Sequence, residues 1–237
     1  MDRLVLLVDA KFNFYRNYHI AIKDGLSPFY MACKSIRNLE REFNAKKVIL
    51  VWDGKSFRRK KSSTYKAHRK KLNLDMLPDV KAFLANFYES YEAVKCEGDD
   101  VLASLSLRQP CIIITSDRDL NQCLSKTCKV YNPIKKSYAT EDPRYVLMDK
   151  LVHGDKSDNV KGVRSDHWQS YSMFPTRKEV KTTPKELLKN LEILSLSPGK
   201  WKTLKAKDPV KLIEKYNCKS FVYTFNMEEW SQKSSKH

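Results

Sequence analysis

The sequence lacks the residue spacings of a structural zinc site. Its six cysteines contain no Cys-x-x-Cys pair, and its five histidines are dispersed along the chain. The cysteines are Cys33, Cys96, Cys111, Cys123, Cys128 and Cys218, and the histidines are His19, His68, His153, His167 and His237. This distribution argues against structural zinc and against a disulfide framework, and it fits a reducing compartment.

Long apolar runs are also missing. No stretch approaches the roughly 18 apolar residues needed to cross a bilayer, and residues 4–8 are too few for the core of a signal peptide. The 237 residues are enough for one large domain, or for one domain with an appended lobe. We therefore expect a soluble, cytoplasmic monomer with no membrane partner.

Acidic residues are outnumbered by basic ones. The chain has 45 lysines and arginines and 28 aspartates and glutamates, so its formal net charge is 45 − 28 = +17. A surplus of this size indicates a polyanionic partner, most commonly nucleic acid. Residues 55–71 contain no acid, and they carry nine basic side chains: Lys55, Arg58, Arg59, Lys60, Lys61, Lys66, Arg69, Lys70 and Lys71. We do not expect this stretch to lie in a core; it is either a solvated loop or localisation signal, or a basic flap that grips phosphates.

Short apolar segments alternate with helical patterns over the first 131 residues. Strands are predicted at residues 4–8, 47–52, 91–94, 111–115 and 129–131, and helices at 10–22, 28–43, 75–88, 98–107 and 117–124. This alternation predicts an α/β fold with a mostly parallel central sheet and helices on both faces. Further helical patterns at 142–153, 184–194 and 209–216 suggest a core domain over residues 1–150 and a mainly helical lobe over 151–237. Residues 195–207 and those from 230 onward show no clear pattern of secondary structure.

Nine carboxylates recur at the proposed strand ends and turns: Asp9, Asp53, Glu97, Asp99, Asp100, Asp117, Asp119, Asp155 and Asp158. Each could have a purely structural role, because an acid at a helix N-terminus is stabilised by about 0.3–1 kcal/mol and aspartates are common in turns. Capping, however, needs one carboxylate per helix rather than two or three. Carboxylates that meet at one edge of a sheet repel one another unless a cation or a proton intervenes.

Oxygen-only ligands of this kind suit magnesium or manganese rather than zinc. Two such ions ~3.5–4 Å apart would activate a water and stabilise the leaving oxygen of a phosphodiester. The lysines and arginines would bind the nucleic-acid backbone, and the metal ions would neutralise the charge at one phosphate. The sequence therefore predicts a metal-dependent phosphodiesterase.

Six short segments together resemble the 5′-nuclease family of flap endonucleases and 5′–3′ exonucleases, which includes the domain attached to bacterial DNA polymerase I. They are Val8-Asp9, Trp52-Asp53-Gly54, Tyr65-Lys66-Ala67-His68-Arg69, Glu97-Gly98-Asp99-Asp100, Thr115-Ser116-Asp117-Arg118-Asp119 and Gly154-Asp155-Lys156-Ser157-Asp158-Asn159. Their order and spacing agree with the family from about residue 4 to residue 163. The short chain and residues 162–168 look most like the phage replication members called RNase H, which would place the protein in a host cytoplasm.

The resemblance implies a Mg²⁺-dependent nuclease acting on branched or 5′-ended DNA, and on RNA–DNA hybrids, in replication or repair. Asp9, Asp53, Glu97 and Asp99 would hold one ion and Asp99, Asp117, Asp119 and Asp155 a second, with Asp100 and Asp158 acting directly or through water; Mn²⁺ could substitute. Lys66, Arg69 and Arg16 would contact the scissile phosphate, and residues 54–72 would form a helical arch. The nucleic-acid-binding residues would be Lys55, Arg58, Arg59, Lys60, Lys61, Tyr65, Lys70, Lys71, Lys161 and Arg164. A single-strand-binding protein or a clamp would be candidate partners.

One segment departs from the family pattern. Members usually follow the last acids with a glycine-rich helix–hairpin–helix that binds duplex backbone and a potassium ion, whereas Gly162 is followed by no second glycine. We therefore expect an altered duplex-binding element. Two rival functions are a single-strand ribonuclease of the related PIN type and a branched-DNA-binding protein that kept the fold and lost catalysis. The second predicts losses among the nine acids, and none is missing.

Overall fold

The computed structural model describes residues 4–68, 75–162 and 185–227. In these ranges the central sheet has seven strands in the order β6-β5-β4-β1-β2-β3-β9. They are β1 Val5–Asp9, β2 Lys47–Trp52, β3 Glu89–Ala93, β4 Cys111–Ile114, β5 Cys128–Asn132, β6 Ser137–Tyr138 and β9 Trp201–Thr203. Strands β1 to β5 are parallel, and β6 and β9 run antiparallel at the two edges. The prediction of a mostly parallel sheet is confirmed.

Helices cover the sheet, and a small hairpin follows the longest of the later ones. The helices are α1 Ala10–Lys23, α2 Pro28–Glu42, α3 Arg58–Lys61, α4 Leu77–Leu84, α5 Gly98–Ser106, α6 Pro143–His153, α7 Lys185–Leu194, α8 Pro209–Lys215 and α9 Phe221–Thr224. The hairpin pairs β7 Gly154–Asp155 with β8 Val160–Lys161. None of the helices in the described ranges is long and apolar enough to cross a membrane.

The apolar residues of the strands divide between two clusters, one on each face of the sheet. On one face, Phe14 of α1 and Phe29 and Ile36 of α2 pack with inward side chains of β1 and β2. On the other face, Val101 and Leu105 of α5 pack with the alternate residues of the same strands. Because parallel strands are buried on both faces, they read as continuous apolar runs in the sequence. The prediction of helices on both faces is confirmed.

The chain after α7 contributes to the main sheet and to its core. Strand β9 pairs with β3 in the register Glu92↔Lys202. The rings of Phe221 and Phe225 lie 5.2 Å from the ring of Phe83, which packs edge-on against Phe29. Aromatic side chains near the C-terminus therefore help to complete the core of the α/β layers, and the mainly helical lobe over residues 151–237 stays a prediction. The predicted helix–hairpin–helix segment lies outside the described residues.

One local prediction is made more specific and another needs correction. Residues 117–124, predicted as a helix, form a 3₁₀ helix over Arg118–Cys123 that begins at the capping side chain of Asp117. The basic stretch was expected to stay out of the core, but its side chains Arg58 and Tyr65 are buried. Each has a carboxylate partner that offsets the cost of burying its polar group. Residues 69–72 of the predicted arch lie outside the described residues.

Candidate active site

Four aspartates lie at the edge of the sheet where the parallel strands end. Asp9 is the last residue of β1, Asp53 follows β2, Asp99 lies in the first turn of α5, and Asp117 follows β4. Thr115 joins two of these positions, because its hydroxyl donates to Asp9 Oδ2 at 3.1 Å and accepts from the Asp117 backbone N–H at 3.0 Å. The topology therefore brings together acids that are more than a hundred residues apart in sequence.

The carboxylates of this group disfavour one another's ionisation. Burial raises the pKa of Asp9 to about 7, and the neighbouring charges of Asp53 and Asp117 add to the increase. The pKa of Asp99 is raised well above its ordinary value by burial and then by Asp117, Asp9 and Asp53. Each of these carboxylates would regain its charge if a cation were bound among them. The oxygen-only donor set and the repulsion both fit a hard divalent ion.

Asp53 already has a cationic partner within the chain. Burial opposes its ionisation, but the Lys11 ammonium, 2.5 Å from Asp53 Oδ2, lowers the pKa of Asp53 below its ordinary value. The other oxygen of Asp53 accepts from the Gly98 backbone N–H at 2.6 Å. A side chain at Gly98 would contact that oxygen at 2.8 Å, so a glycine here lets α5 begin directly against Asp53.

A second group of carboxylates lies beside the β7–β8 hairpin. Asp119, Asp155 and Asp158 each offer a ligand atom within 4.8 Å of the others. Lys150 of α6 forms ion pairs with both Asp119 and Asp155. One oxygen of Asp155 accepts from the backbone N–H groups of Ser157 and Asp158, which fixes the turn that carries Asp155 and Asp158. This second group also fits a divalent ion, since three carboxylates can each offer it one oxygen.

The hairpin depends on one glycine. Gly154, between α6 and Asp155, has φ = 83°, a conformation that other residues rarely adopt. A Cβ atom there would also lie 2.5 Å from the backbone nitrogen of Gly162 across the hairpin. Gly154 therefore permits the close pairing of β7 and β8 that directs Asp155 toward the acidic edge.

The basic stretch contacts the acids directly through Tyr65 and Lys66. The Tyr65 hydroxyl donates to Glu97 at 2.7 Å, and Lys66 Nζ lies 3.0 Å from Glu97 and 3.6 Å from Asp158. The Lys66 backbone N–H also donates to the Asp158 carbonyl at 3.0 Å. Lys66 therefore lies at the acids, and its contact with the scissile phosphate stays a prediction. Tyr65 is only 2% exposed, which corrects its prediction as a nucleic-acid contact.

Arg58 and Asp100 form a buried ion pair, which corrects two more predictions. The guanidinium donates to both oxygens of Asp100 at 2.6 and 2.7 Å, and it also donates to the carbonyls of Ile193 and Ser195. The carboxylate also accepts from the backbone N–H groups of Glu97 and Ser197. Arg58 therefore has no surface from which to contact a phosphate. The Asp100 oxygens are already occupied, so we no longer regard Asp100 as a metal ligand.

The remaining predicted site residues lie at the surface or outside the described ranges. Arg16 is half-buried on α1, two helical turns beyond Asp9. Five basic residues of the predicted nucleic-acid surface are exposed: Lys55, Arg59, Lys60, Lys61 and Lys161. Of these, Lys61 is paired with Glu192 at 2.6 Å. Arg69, Lys70, Lys71 and Arg164 lie outside the described residues.

Lys11 and Lys150 were not predicted as site residues from the sequence. Both lie near predicted acids in sequence, Lys11 two residues after Asp9 and Lys150 five residues before Asp155. Neither spacing is a recognised motif, and Lys11 pairs with the acid of the neighbouring strand rather than with the nearer one. Only the sheet topology shows which carboxylate each lysine reaches.

Comparison with known proteins identifies the family of this fold. Residues 4–153 match the family described as 5′–3′ exonuclease, N-terminal resolvase-like domain. The 5′–3′ exonuclease of Buchnera aphidicola is 26% identical over 186 residues, covering 67% of this chain and 65% of that protein. The thermostable DNA polymerase I of Thermus caldophilus is 31% identical over 192 residues, which are 68% of this chain but 22% of the polymerase. The chain thus spans about two thirds of the exonuclease and a fifth of the polymerase.

Solved structures agree with this assignment of the fold. The bacteriophage T5 flap endonuclease, in complex with DNA and metal ions, superposes with a TM-score of 0.63 at 15% identity, covering 90% of this chain and 92% of that one. The T5 5′-exonuclease with bound zinc ions superposes with a TM-score of 0.62 at the same identity and coverage. Both are similar to this chain in fold along most of their length.

Proposed function

Because the chain belongs to the 5′–3′ exonuclease family, we propose that it is a divalent-metal-dependent, structure-specific 5′ nuclease that hydrolyses phosphodiesters of branched or 5′-ended DNA. We include RNA primers paired with DNA among its substrates. The observation that carries the proposal is the meeting of Asp9, Asp99 and Asp117 at one sheet edge, where the charge of Asp117 adds to the effect of burial in raising the pKa of Asp9 and of Asp99. Capping and turn formation do not require that arrangement, whereas a metal centre does.

Two groups of side chains would hold the ions. Asp9, Asp53, Glu97 and Asp99 would hold the first, and Asp99, Asp117, Asp119 and Asp155 the second, with Asp158 acting directly or through water. When bound, Mg²⁺ or Mn²⁺ supplies a lowered pKa for the attacking water and positive charge beside the leaving oxygen. We favour Mg²⁺ because carboxylate oxygens are the donors that it prefers.

The chain's own cations would orient the substrate. Lys66 is held by Glu97 on one side and Asp158 on the other, so its ammonium lies directly at the acids. Burial alone would lower the pKa of Lys66, but Glu97 and Asp158 offset that effect and raise it, so the ammonium is charged at neutral pH. A scissile phosphate entering the site would bind this ammonium, which would stabilise the charge that develops during hydrolysis. Arg16 on α1 would contact a neighbouring phosphate. The exposed residues Lys55, Arg59 and Lys60 would bind the strand that leads to the site.

The T5 flap endonuclease, similar in fold, is described in complex with DNA and metal ions, which supports the same ligand classes here. The excess of 17 positive charges supports a polyanionic substrate independently. Such binding should weaken steeply with added salt, because each phosphate contact releases counterions.

The test is cleavage of an end-labelled duplex that carries a 5′ flap, with magnesium and with chelator. Wild type should cut near the junction or from the 5′ end only when magnesium is present, and Asp99→Asn should bind the substrate without cutting it. Lys156→Gln, which changes an exposed residue of the β7–β8 turn, is the matched control. Salt-sensitive binding without cleavage under any divalent ion would instead identify a branched-DNA-binding protein.

A further inference from the structure

A cleft of about 310 Å³ lies beside the acidic edge, and the proposed metal centre does not use it. It runs between the segment that follows β4 and the β5–β6 hairpin. Ser116 and Asp117 line it on one side, and Lys135 and Tyr138 line it on the other. Because Asp117 also acts on the pKa of Asp9 and Asp99, the cleft opens directly next to the proposed site of hydrolysis.

The lining of the cleft suits a neutral, flat and partly polar group. Val130 and Ala139 supply apolar surface, while Ser116, Asn132 and Thr140 supply hydroxyl and amide groups. Four charged residues also line the cleft, and their formal charges cancel: Asp117 and Glu141 are acidic, and Arg118 and Lys135 are basic. A cleft without net charge does not select an anion. Small pockets with an apolar base and a few polar groups are typical of sites for a single organic ligand, and ~300 Å³ is their lower limit of size.

Tyr138 gives the cleft an aromatic surface that is held in place. Its side chain is 45% exposed although its ring packs against the protein on two sides. The ring meets the buried ring of Tyr131 edge-on at 5.2 Å, and Lys129 Nζ lies 5.7 Å from its centroid. Tyr131 is itself packed edge-on against Phe43 at 5.0 Å. A ring anchored in this way loses little conformational entropy when a flat group stacks on it.

The charges nearby indicate where a phosphate attached to that group would lie. Arg118 is paired with Glu141 at 2.9 Å and with Asp149 at 2.5 Å, so its charge is already compensated. Lys135 is exposed at the tip of the hairpin, and no ion pair to it occurs among the described residues. A phosphate at the rim would therefore lie toward Lys135, and the next phosphate along the strand would lie toward the acids.

We propose that this cleft binds one nucleotide of the substrate strand adjacent to the scissile phosphate, with its base stacked on Tyr138 and its phosphate beside Lys135. The inference rests on the proposed function, because it assigns a position in the same substrate. Base stacking on aromatic side chains is tolerant of sequence, which suits a structure-specific nuclease. The cleft would thus fix the register of the strand relative to the acids.

The test uses flapped duplexes in which the fluorescent base 2-aminopurine replaces one base at a time on either side of the junction. Calcium replaces magnesium, and a gel confirms that the strand stays intact during the measurement. Wild type should change the fluorescence at one position more than at its neighbours. Tyr138→Leu should abolish that position-specific change and raise Kd at least about fivefold, the lower end of base–aromatic stacking energies. Tyr138→Phe should retain both properties.

Two controls separate stacking from loss of structure. Tyr145→Leu changes an exposed tyrosine of α6 outside the cleft and should leave the fluorescence pattern unchanged. Lys135→Gln should weaken binding while the position of the fluorescence change stays the same. A wild type that cleaves the flap but shows no position-specific change, or a change that survives in Tyr138→Leu, would overturn the inference and leave the proposed function standing. A position-specific change without magnesium-dependent cleavage would support the cleft and refute the nuclease.

Discussion

Replacing Asp100 tests whether its carboxylate serves a metal ion or Arg58. The two side chains are almost fully inaccessible, 0% and 3% exposed, and two hydrogen bonds of 2.6 and 2.7 Å join them. If they form a structural pair, Asp100→Leu and Arg58→Met should each lower the free energy of unfolding, because each leaves a buried charge without its partner. Breaking a buried ion pair from one side costs about 3–5 kcal/mol.

The double variant Arg58→Met/Asp100→Leu supplies the sharper measurement. It removes both charges together, so it should lose less stability than the sum of the single variants, by about 2 kcal/mol. It should stay less stable than wild type, since two carbonyls and two backbone N–H groups that bind the pair lose their partners. Urea unfolding of the four proteins without metal gives these energies, and equal slopes would show that the unfolding transitions are comparable.

Binding of Mn²⁺, followed by electron paramagnetic resonance, distinguishes the two roles. Asp99→Asn is the control for a ligand: it should lose Mn²⁺ affinity but gain stability without metal, because it relieves repulsion from Asp117, Asp9 and Asp53. Asp100→Leu, by contrast, should lose stability without metal, and its Mn²⁺ affinity should resemble that of Arg58→Met. Additive unfolding energies, together with a loss of Mn²⁺ affinity confined to the Asp100 variant, would refute the structural pair and restore Asp100 as a ligand.

Three further predictions concern two lysines and the aspartate Asp79. Lys11→Met should lower the Mn²⁺ concentration for half-saturation about fivefold, since a half-exposed ion pair worth ~1 kcal/mol no longer competes at Asp53; unchanged affinity would show that the pair is not displaced. Lys66→Gln should lower kcat for flap cleavage on the order of a hundredfold with little change in DNA binding, as expected for a group that stabilises developing charge; a change in Kd alone would contradict this role. The pKa of Asp79 is lowered to about 2 by Lys215, Lys207 and Tyr216. Because the pKa of Asp79 in the folded protein lies below its ordinary value of 3.8, the ionised carboxylate stabilises the folded protein by about 1 kcal/mol after solvent screening. This stabilisation is complete above pH 4 and is lost as pH falls toward 2. The stability difference between wild type and Asp79→Asn should shrink over that window, and a constant difference would be inconsistent with it.

The fold was predictable because its signals are local. Parallel strands buried on both faces appear as apolar runs, and helix N-caps are visible in the sequence, as at Asp9 after β1 and at Ser27 before α2. The C-terminal segment was not predictable in the same way. Strand β9 has three residues, and two of them, Lys202 and Thr203, are exposed, so its sequence carries no apolar run. Its place beside β3 is set by long-range pairing rather than by its own composition.

The candidate site was predictable in its acids but not in their cationic partners. An aspartate after an apolar strand marks the edge of a sheet whichever strand it follows, so the convergence of Asp9, Asp53 and Asp117 could be inferred from topology. For the basic stretch, the sequence does not show which basic residues are buried and which are exposed. Arg58 and Lys60 look alike in sequence, yet one is buried against Asp100 and the other is exposed. Which basic residue faces inward depends on where α3 meets α5 and α7, and the sequence pattern does not contain that information.

The lysines around the acids determine which carboxylates of the proposed metal centre are left without a compensating positive charge. Lys11 is paired with Asp53, and Lys150 with Asp119 and Asp155. Within the described residues, no ion pair joins Asp9, Asp99 or Asp117, and the first two of these have strongly raised pKa values. A divalent ion among these three would relieve repulsion without displacing an ammonium, whereas an ion at Asp155 would have to compete with Lys150. The two groups of acids therefore differ in the charge that an entering ion must replace: the lysines pair with Asp53, Asp119 and Asp155 and leave uncompensated the three carboxylates among which a first ion gains most.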